Sequence, residues 1–234
     1  MSALPTNPKA LSARLSSREV AIRRAIGVWR TGGNPATGGP PDEVTAGAVY
    51  MQRAVRLLSQ DRRLAAATIR LLPSHLAQEI RELTAALHDL RRLSAGWPAH
   101  RVRTGPPEPL GRLLGYYRSA QRRFRVRWQI LAAVNLVESA FGRLRSPSVA
   151  GARGPMQFTP ATWHAYGLGG DIGDPHDAIL GAANLLHHSG APGDDPRALY
   201  AYNPSPLYVD AVRRYARVIA QDRDAVYFLY AWRP

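Results

Sequence analysis

Apolar residues recur at helical spacing through most of the chain, and no segment alternates long enough to describe a strand. Between Thr45 and Leu93 the pattern is helical but broken at Pro73-Ser74, where Ser74 is suited to cap a new start. Beyond it, Leu76, Ile80, Leu83, Leu87 and Leu90 step by four and three, which makes one apolar stripe with charged flanks. An antiparallel pair or trio of scaffold helices is expected there. From Leu110 onward the starts are punctuated. Thr159-Pro160, Asp174-Pro175, Asp195-Pro196 and Ser205-Pro206 each set a capping side chain before a proline suited to the first turn. Gly190, after His187-His188-Ser189, reads as a stop. The pattern predicts helices over 110–126, 128–142, 160–166, 175–189, 196–202 and 206–221, and an all-α fold.

Two Gly/Pro clusters divide this pattern. Thr31 to Pro41 cannot continue a helix and reads as a connector, after a short helix over Ser16 to Arg30. Gly96 to Pro109, with Trp97-Pro98 and Gly105-Pro106-Pro107, reads as a linker. The expected organisation is a flexible or partly disordered segment over 1–44, a helical appendage over 45–95, the linker over 96–109, a main domain over 110–225 and a tail over 226–234.

Composition narrows the function classes. Hydrophobic residues make up 45%, enough for a packed core, yet no apolar run approaches the roughly 20 residues that span a bilayer. Ala3 to Arg14 is mixed and Arg18 to Arg30 is charged, so no export segment is visible. With no cysteine, disulfides and Cys-ligated zinc are excluded. Net charge is +14, carried by arginine, since Lys9 is the only lysine. Such a surface attracts polyanions: nucleic acid, anionic membranes or anionic wall polymers. No RNA- or DNA-reading motif accompanies it, and no nucleic-acid partner is expected.

The chemistry concentrates around Val137-Glu138-Ser139, inside the apolar run Trp128 to Phe141. Glu138 is the only carboxylate between Pro109 and Gly170. A lone acid on a core helix is costly to bury charged, and the helix C-terminus disfavours the anion further. Both effects raise its pKa toward the value a general acid needs. The alternative is a structural salt bridge to Arg143, Arg145 or Arg153. Ser139 can orient a carboxyl group or a sugar. Ser148 to Phe158 follows, with Ala150, Gly151, Ala152 and Gly154-Pro155 letting backbone approach a ligand closely. Gln157 can bond an acetamido group, and Met156 or Phe158 can pack on a sugar face. In Leu199-Tyr-Ala-Tyr-Asn203, Tyr202 offers an apolar ring with a polar tip, Asn203 suits a turn cap, and Tyr200 reads as core. His187-His188 suits a helix end, and His164 and His176 stand on separate elements, so neither a metal site nor a cofactor is expected.

Glu138-Ser139, Gly154-Pro-Met-Gln157 and Ala201-Tyr-Asn203, in this order and with Thr159-Pro-Ala-Thr-Trp163 and Gly173-Asp-Pro-His-Asp-Ala178 between them, resemble the signature of lytic transglycosylases of the soluble-lytic-transglycosylase (SLT) type. The resemblance covers about residues 108–225, and departs from the family where Pro155 replaces a common Leu. It implies a lysozyme-like fold with an N-terminal helical appendage, peptidoglycan as the partner, and an extracytoplasmic place of work by a monomer. It implies Glu138 as catalytic acid/base, with Ser148, Met156, Gln157 and Tyr202 around the muramic sugar. The reaction implied is cleavage of the N-acetylmuramic acid–N-acetylglucosamine bond with closure of a 1,6-anhydro ring. No second acid lies near Glu138 in sequence; Asp171, Asp174 and Asp177 are the nearest downstream. A one-carboxylate site fits a reaction in which the substrate supplies the second group, whereas a goose-type lysozyme hydrolysis would need Asp171 or another acid to activate water.

Overall fold

Asn7 opens the first helix, because its side chain accepts from the amides of Lys9 (2.9 Å) and Ala10 (3.2 Å). In the computed structural model, which describes residues 3–96 and 102–234, this helix α1 runs Pro8–Thr31. It is longer than the short helix expected, and the segment read as flexible is largely ordered: Leu11, Leu15, Ile22, Ile26 and Trp29 point one way and are buried. α2 (Asp42–Leu58), α3 (Arg62–Ile69) and α4 (Ser74–Leu93) form the expected trio. Pro73, not Ser74, takes the N-cap position of α4, with no side-chain cap bond. The stripe expected on α4 is buried at Leu76, Ile80 and Leu83 and partly buried at Leu87 and Leu90.

The second half holds α5 (Leu110–Phe124), α6 (Trp128–Ser139), α7 (Pro160–Tyr166), α8 (Pro175–His188), α9 (Asp195–Tyr202), α10 (Pro206–Gln221) and α11 (Ala225–Tyr230). Thr159 and Asp174 cap α7 and α8 as the sequence predicts. At α9 the cap is Asp194, which frees Asp195 to be buried and paired with Arg127. Ser205 stands at the cap of α10 without a side-chain bond. No β-strand occurs among the described residues, only isolated bridges at Thr104–Leu144 and Arg153–Phe158. The chain is all-α with a lysozyme-like architecture.

α10 is the hub: it lies along α4 on one side and α6 on the other, and touches α9 and α11. α5 packs on α8, and α1 on α2 and α3. One apolar core passes through all of these contacts. The two segments read as connectors are tied to this body. Pro35 accepts from the Gly111 amide (2.7 Å) at the start of α5, and Gly105 donates to the Arg143 carbonyl (2.9 Å). The Trp97-Pro98 step of the expected linker lies outside the described residues. The segment read as a tail contains α11, whose Phe228, Leu229 and Tyr230 are buried. No helix is long and apolar enough to cross a membrane among the described residues.

Candidate functional site

α6 is apolar on almost every side because it runs through the core. It stops abruptly: Ala140, Phe141 and Gly142 all take the left-handed conformation, with φ of 50°, 62° and 82°. Two of these are not glycine, so the turn is strained and needs support. It has it. The Ala140 amide donates to the Leu136 carbonyl (3.0 Å) and that of Phe141 to the Asn135 carbonyl (3.0 Å). The Phe141 ring is buried beside Tyr230. The Gly142 amide donates to the Ser139 hydroxyl (2.8 Å). This reversal fixes Glu138 on the last turn of α6.

A buried polar network then fastens the next loop to α6. The Tyr117 hydroxyl donates to Asn135 Oδ1 (2.6 Å), Asn135 Nδ2 donates to the Pro155 carbonyl (2.8 Å), and the Ser139 hydroxyl donates to that same carbonyl. Every member has a partner, which is what makes such a network stabilising in a low-dielectric setting. The loop itself is closed by paired bonds between Arg153 and Phe158 (2.8 and 2.9 Å). Within it, Gly154 has φ +74° and lies so close to the Ile172 carbonyl that a Cβ would stand 1.9 Å from its oxygen. Gln157, at φ +50°, turns its Nε2 back onto the Gly154 carbonyl (2.9 Å).

The third element is aromatic. The Tyr208 ring, in the first turn of α10, lies parallel to Tyr202 at the end of α9 (centroids 6.3 Å apart, 5° between planes). Phe158 and Trp163 continue the row at 5.8 and 5.2 Å. The Tyr202 hydroxyl donates to the Met156 carbonyl (2.6 Å), and the Tyr208 hydroxyl donates to Glu138 Oε1 (2.7 Å). Burial, together with the Glu138 charge, holds both phenols well above their ordinary pKa, so they remain donors.

Glu138 is partly buried, and loss of solvent pushes its carboxyl up to about 7, against the single opposing influence of the Tyr208 hydrogen bond. Among the described residues it has no ion pair. Two of the arginines that might have neutralised it are engaged elsewhere: Arg143 donates to the Ala140 carbonyl (3.1 Å) and lies over the Tyr230 ring, and Arg145 donates to the Pro106 carbonyl (2.6 Å). The salt-bridge alternative is therefore not the one adopted. An uncharged carboxyl beside a phenol can give a proton and, once ionised, take one back.

The sequence-predicted residues separate into two groups. Ser139 and Met156 are 0% exposed and Phe158 is 2% exposed, so their side chains lie beneath the surface of the site. Ser148, Gln157, Tyr202 and Asn203 stay partly exposed. The Ser148 hydroxyl accepts from the Ala152 amide (3.1 Å) and shapes its loop, and the Asn203 carbonyl accepts from the Ser205 amide (2.7 Å). Tyr200, read as core, is 50% exposed. Sequence reasoning missed Tyr208 and Asn135. Asn135 left a signal, a lone amide in an apolar run that must find partners if buried. Tyr208 left none, because Tyr208, Val212, Tyr215 and Ile219 form an ordinary core stripe.

The acids nearest downstream of Glu138 are engaged in turns at the start of α8. Asp171 Oδ1 accepts from the Gly173 amide (2.8 Å), Asp174 caps α8, and Asp177 Oδ2 accepts from the Asp171 amide (3.0 Å). His176, on a separate element from His164, gathers with Asp174 and Asp177, their ligand atoms within 4.8 Å of one another. Those oxygens already close the turn that starts α8, and Asp177 Oδ1 also meets His176 Nδ1 (3.1 Å), which is sufficient reason for the grouping.

Residues 115–223 match the family model described as the Transglycosylase SLT domain. The match is just under half of the chain and contains Glu138, the 154–158 loop and the Tyr202–Tyr208 pair; this part of the chain belongs to that family. No curated protein and no solved structure matches the chain.

Proposed function

We propose that this SLT domain cleaves the β-1,4 bond from N-acetylmuramic acid to N-acetylglucosamine in peptidoglycan and closes a 1,6-anhydro ring on the muramoyl product, with Glu138 acting first as acid and then as base. The observation that carries the reading is a single carboxyl, without a cation, raised to about 7 by burial and held by one phenol. Protonated Glu138 gives its proton to the glycosidic oxygen as the bond to the muramoyl C1 breaks. The substrate's own 2-acetamido oxygen supports the positive charge left there. The Glu138 carboxylate then takes the proton of the muramoyl 6-hydroxyl while that oxygen bonds to C1. The first proton stays on the released oxygen, the 6-hydroxyl proton restores Glu138 to its acid form, and no water is consumed. Tyr208 fixes which oxygen of Glu138 is free and makes the anion less costly during the interval. Ser148, Gln157, Tyr202 and Asn203, the partly exposed members of the site, are assigned to the glycan, and Ser139, Met156 and Phe158 to positioning. Peptidoglycan as substrate implies an extracytoplasmic place of work.

The test is the mass spectrum of muropeptides released from purified peptidoglycan by wild type and by Glu138→Gln. Ends lighter by one water, lost in the variant with the fold retained, are expected. Reducing muramic ends would mean hydrolysis instead, and undiminished release by the variant would remove Glu138 from the reaction.

A further inference from the structure

A second charged cluster lies away from the site. The Arg23 guanidinium of α1 reaches three carboxylates from three parts of the chain: Glu19 on its own helix, Glu79 on α4 (3.2 Å) and Asp222 at the end of α10. His75 Nε2, also on α4, stands 3.1 Å from Glu19. Glu19 and Glu79 are buried, and the uncharged Gln78 and Gln221 line the same hollow. Three carboxylates against one guanidinium leave negative charge in excess wherever all three are ionised. Buried charge that lacks a partner is expensive, and like charges in one site are resolved by proton uptake on one of them.

We propose that this cluster is a proton-linked clasp: it fastens α1 to α4 and α10 firmly when one of its carboxyls is protonated and slackens when all three are ionised. Glu79 is the member that takes the proton. Its environment accounts for this from every side: loss of solvent raises it to about 7, Arg23 opposes, and Asp222 and Glu19 raise it further. Protonated Glu79 still offers the guanidinium an acceptor oxygen, and it no longer repels Glu19 and Asp222. The clasp therefore tightens in mild acid and loosens in mild base, and the segment that feels it is α1, whose other ties to the body include apolar contacts with α2, α3 and α11, the Arg30–Asp224 pair and the Arg18 guanidinium over the Tyr50 ring.

Glu138 titrates in the same range, so the test uses the full chain carrying Glu138→Gln. Thermal unfolding and amide hydrogen exchange of α1 are followed from about pH 6 to about pH 8 with and without Glu79→Gln. Without it, the melting temperature is expected to fall by several degrees over that interval and the protection factors of the Leu15, Ile22 and Ile26 amides to drop about tenfold. With Glu79→Gln both changes should shrink to less than about half. Asp222→Asn, which removes one of the charges that raises Glu79, should shrink them partly, and it decides the matter if Glu79→Gln does not fold. Equal changes in all the proteins, or loss of protection that spares α1, would overturn the clasp.

Discussion

Glu138 and Glu79 sit in opposite halves of the molecule, and burial lifts both to about 7. Their surroundings have little else in common. Glu79 meets the Arg23 guanidinium of α1 and two further carboxylates, Glu19 beside it on α1 and Asp222 at the end of α10. The bonds of this cluster run between charged groups of the chain, and the result is a tie between elements. Glu138 meets one phenol and no charge among the described residues, next to a run of three left-handed residues and a loop stapled to the core by Asn135 and Ser139. The strain and the polar network there fasten a loop to α6 and hold one oxygen pair in place. A displaced carboxyl pKa is common to structural and catalytic acids, and the bonding left vacant around the group separates them.

Replacing each acid by its amide should break this comparison most widely. Glu138→Gln removes the proton donor and is expected to lower muropeptide release by on the order of 10²–10⁴-fold, while Glu79→Gln should change it less than about threefold. On stability the two should agree. A carboxyl whose pKa is higher in the folded state than in the unfolded chain binds the extra proton between about 4.5 and about 7, so its contribution weakens as pH rises through that window and is a net penalty above it. Each amide removes that penalty, so at about pH 8 each variant should unfold at a higher temperature than wild type, by an amount on the order of 1–3 kcal/mol. A large loss of release in Glu79→Gln would place both acids in one catalytic unit and end the distinction.

Gly154→Ala comes next. Its Cβ would have to sit 1.9 Å from the Ile172 carbonyl oxygen at a φ that L-residues avoid. Either the 154–158 loop moves off Ile172 or the left-handed turn is abandoned, at a cost of roughly 2–4 kcal/mol. Because Met156 in that loop accepts from Tyr202, release should fall with the melting temperature. A stable, active alanine variant would show that the loop does not need this approach.

Ser139→Ala sharpens the same half of the comparison, since Ser139 follows Glu138 directly yet is buried. Its loss leaves the Gly142 amide without an acceptor and takes one of two donors from the Pro155 carbonyl, worth about 1–3 kcal/mol in thermal unfolding. A supporting residue should lower stability and kcat together. A sugar-binding residue would raise KM at constant stability, and that result would restore the direct contact read from the sequence.

That contrast also marks what could be read from residues alone. The helices were legible because their information is local: Thr159 and Asp174 cap where a cap-proline pair predicts it, and the α4 stripe faces the core. The buried, uncharged setting of Glu138 was legible because it stands alone in an apolar run. The burial of Ser139, Met156 and Phe158 was not, because a small polar, a thioether and an aromatic residue look the same in sequence whether they face a ligand or lie under one. Tyr208 was invisible for a related reason: its ring belongs to the α10 core stripe, and only its hydroxyl, set by how α10 crosses α6, reaches the acid. The clasp was hidden by distance, since Arg23, Glu79 and Asp222 are joined only when α1, α4 and α10 have packed. For the same reason residues 8–31 and 225–230 were undervalued, because their burial depends on partners far along the chain.

Tyr208→Phe makes the finest cut. The ring and its parallel stacking on Tyr202 are retained and only the hydroxyl is lost, so the fold should change little. The lost bond favoured the ionised form of Glu138, so removing it raises the carboxyl further above about 7. The acid step needs the protonated form, and the alkaline limb of the rate against pH should therefore move upward, by on the order of one pH unit. At lower pH, where the acid is already protonated, the base step should suffer a modest loss in kcat, because the anion formed midway has lost its donor. Tyr208 has no counterpart at Glu79, whose charged form is already favoured by Arg23, so in the clasp the same logic runs through a guanidinium and is read in stability. If the alkaline limb stays where it is in Tyr208→Phe, the group that titrates in catalysis is not Glu138.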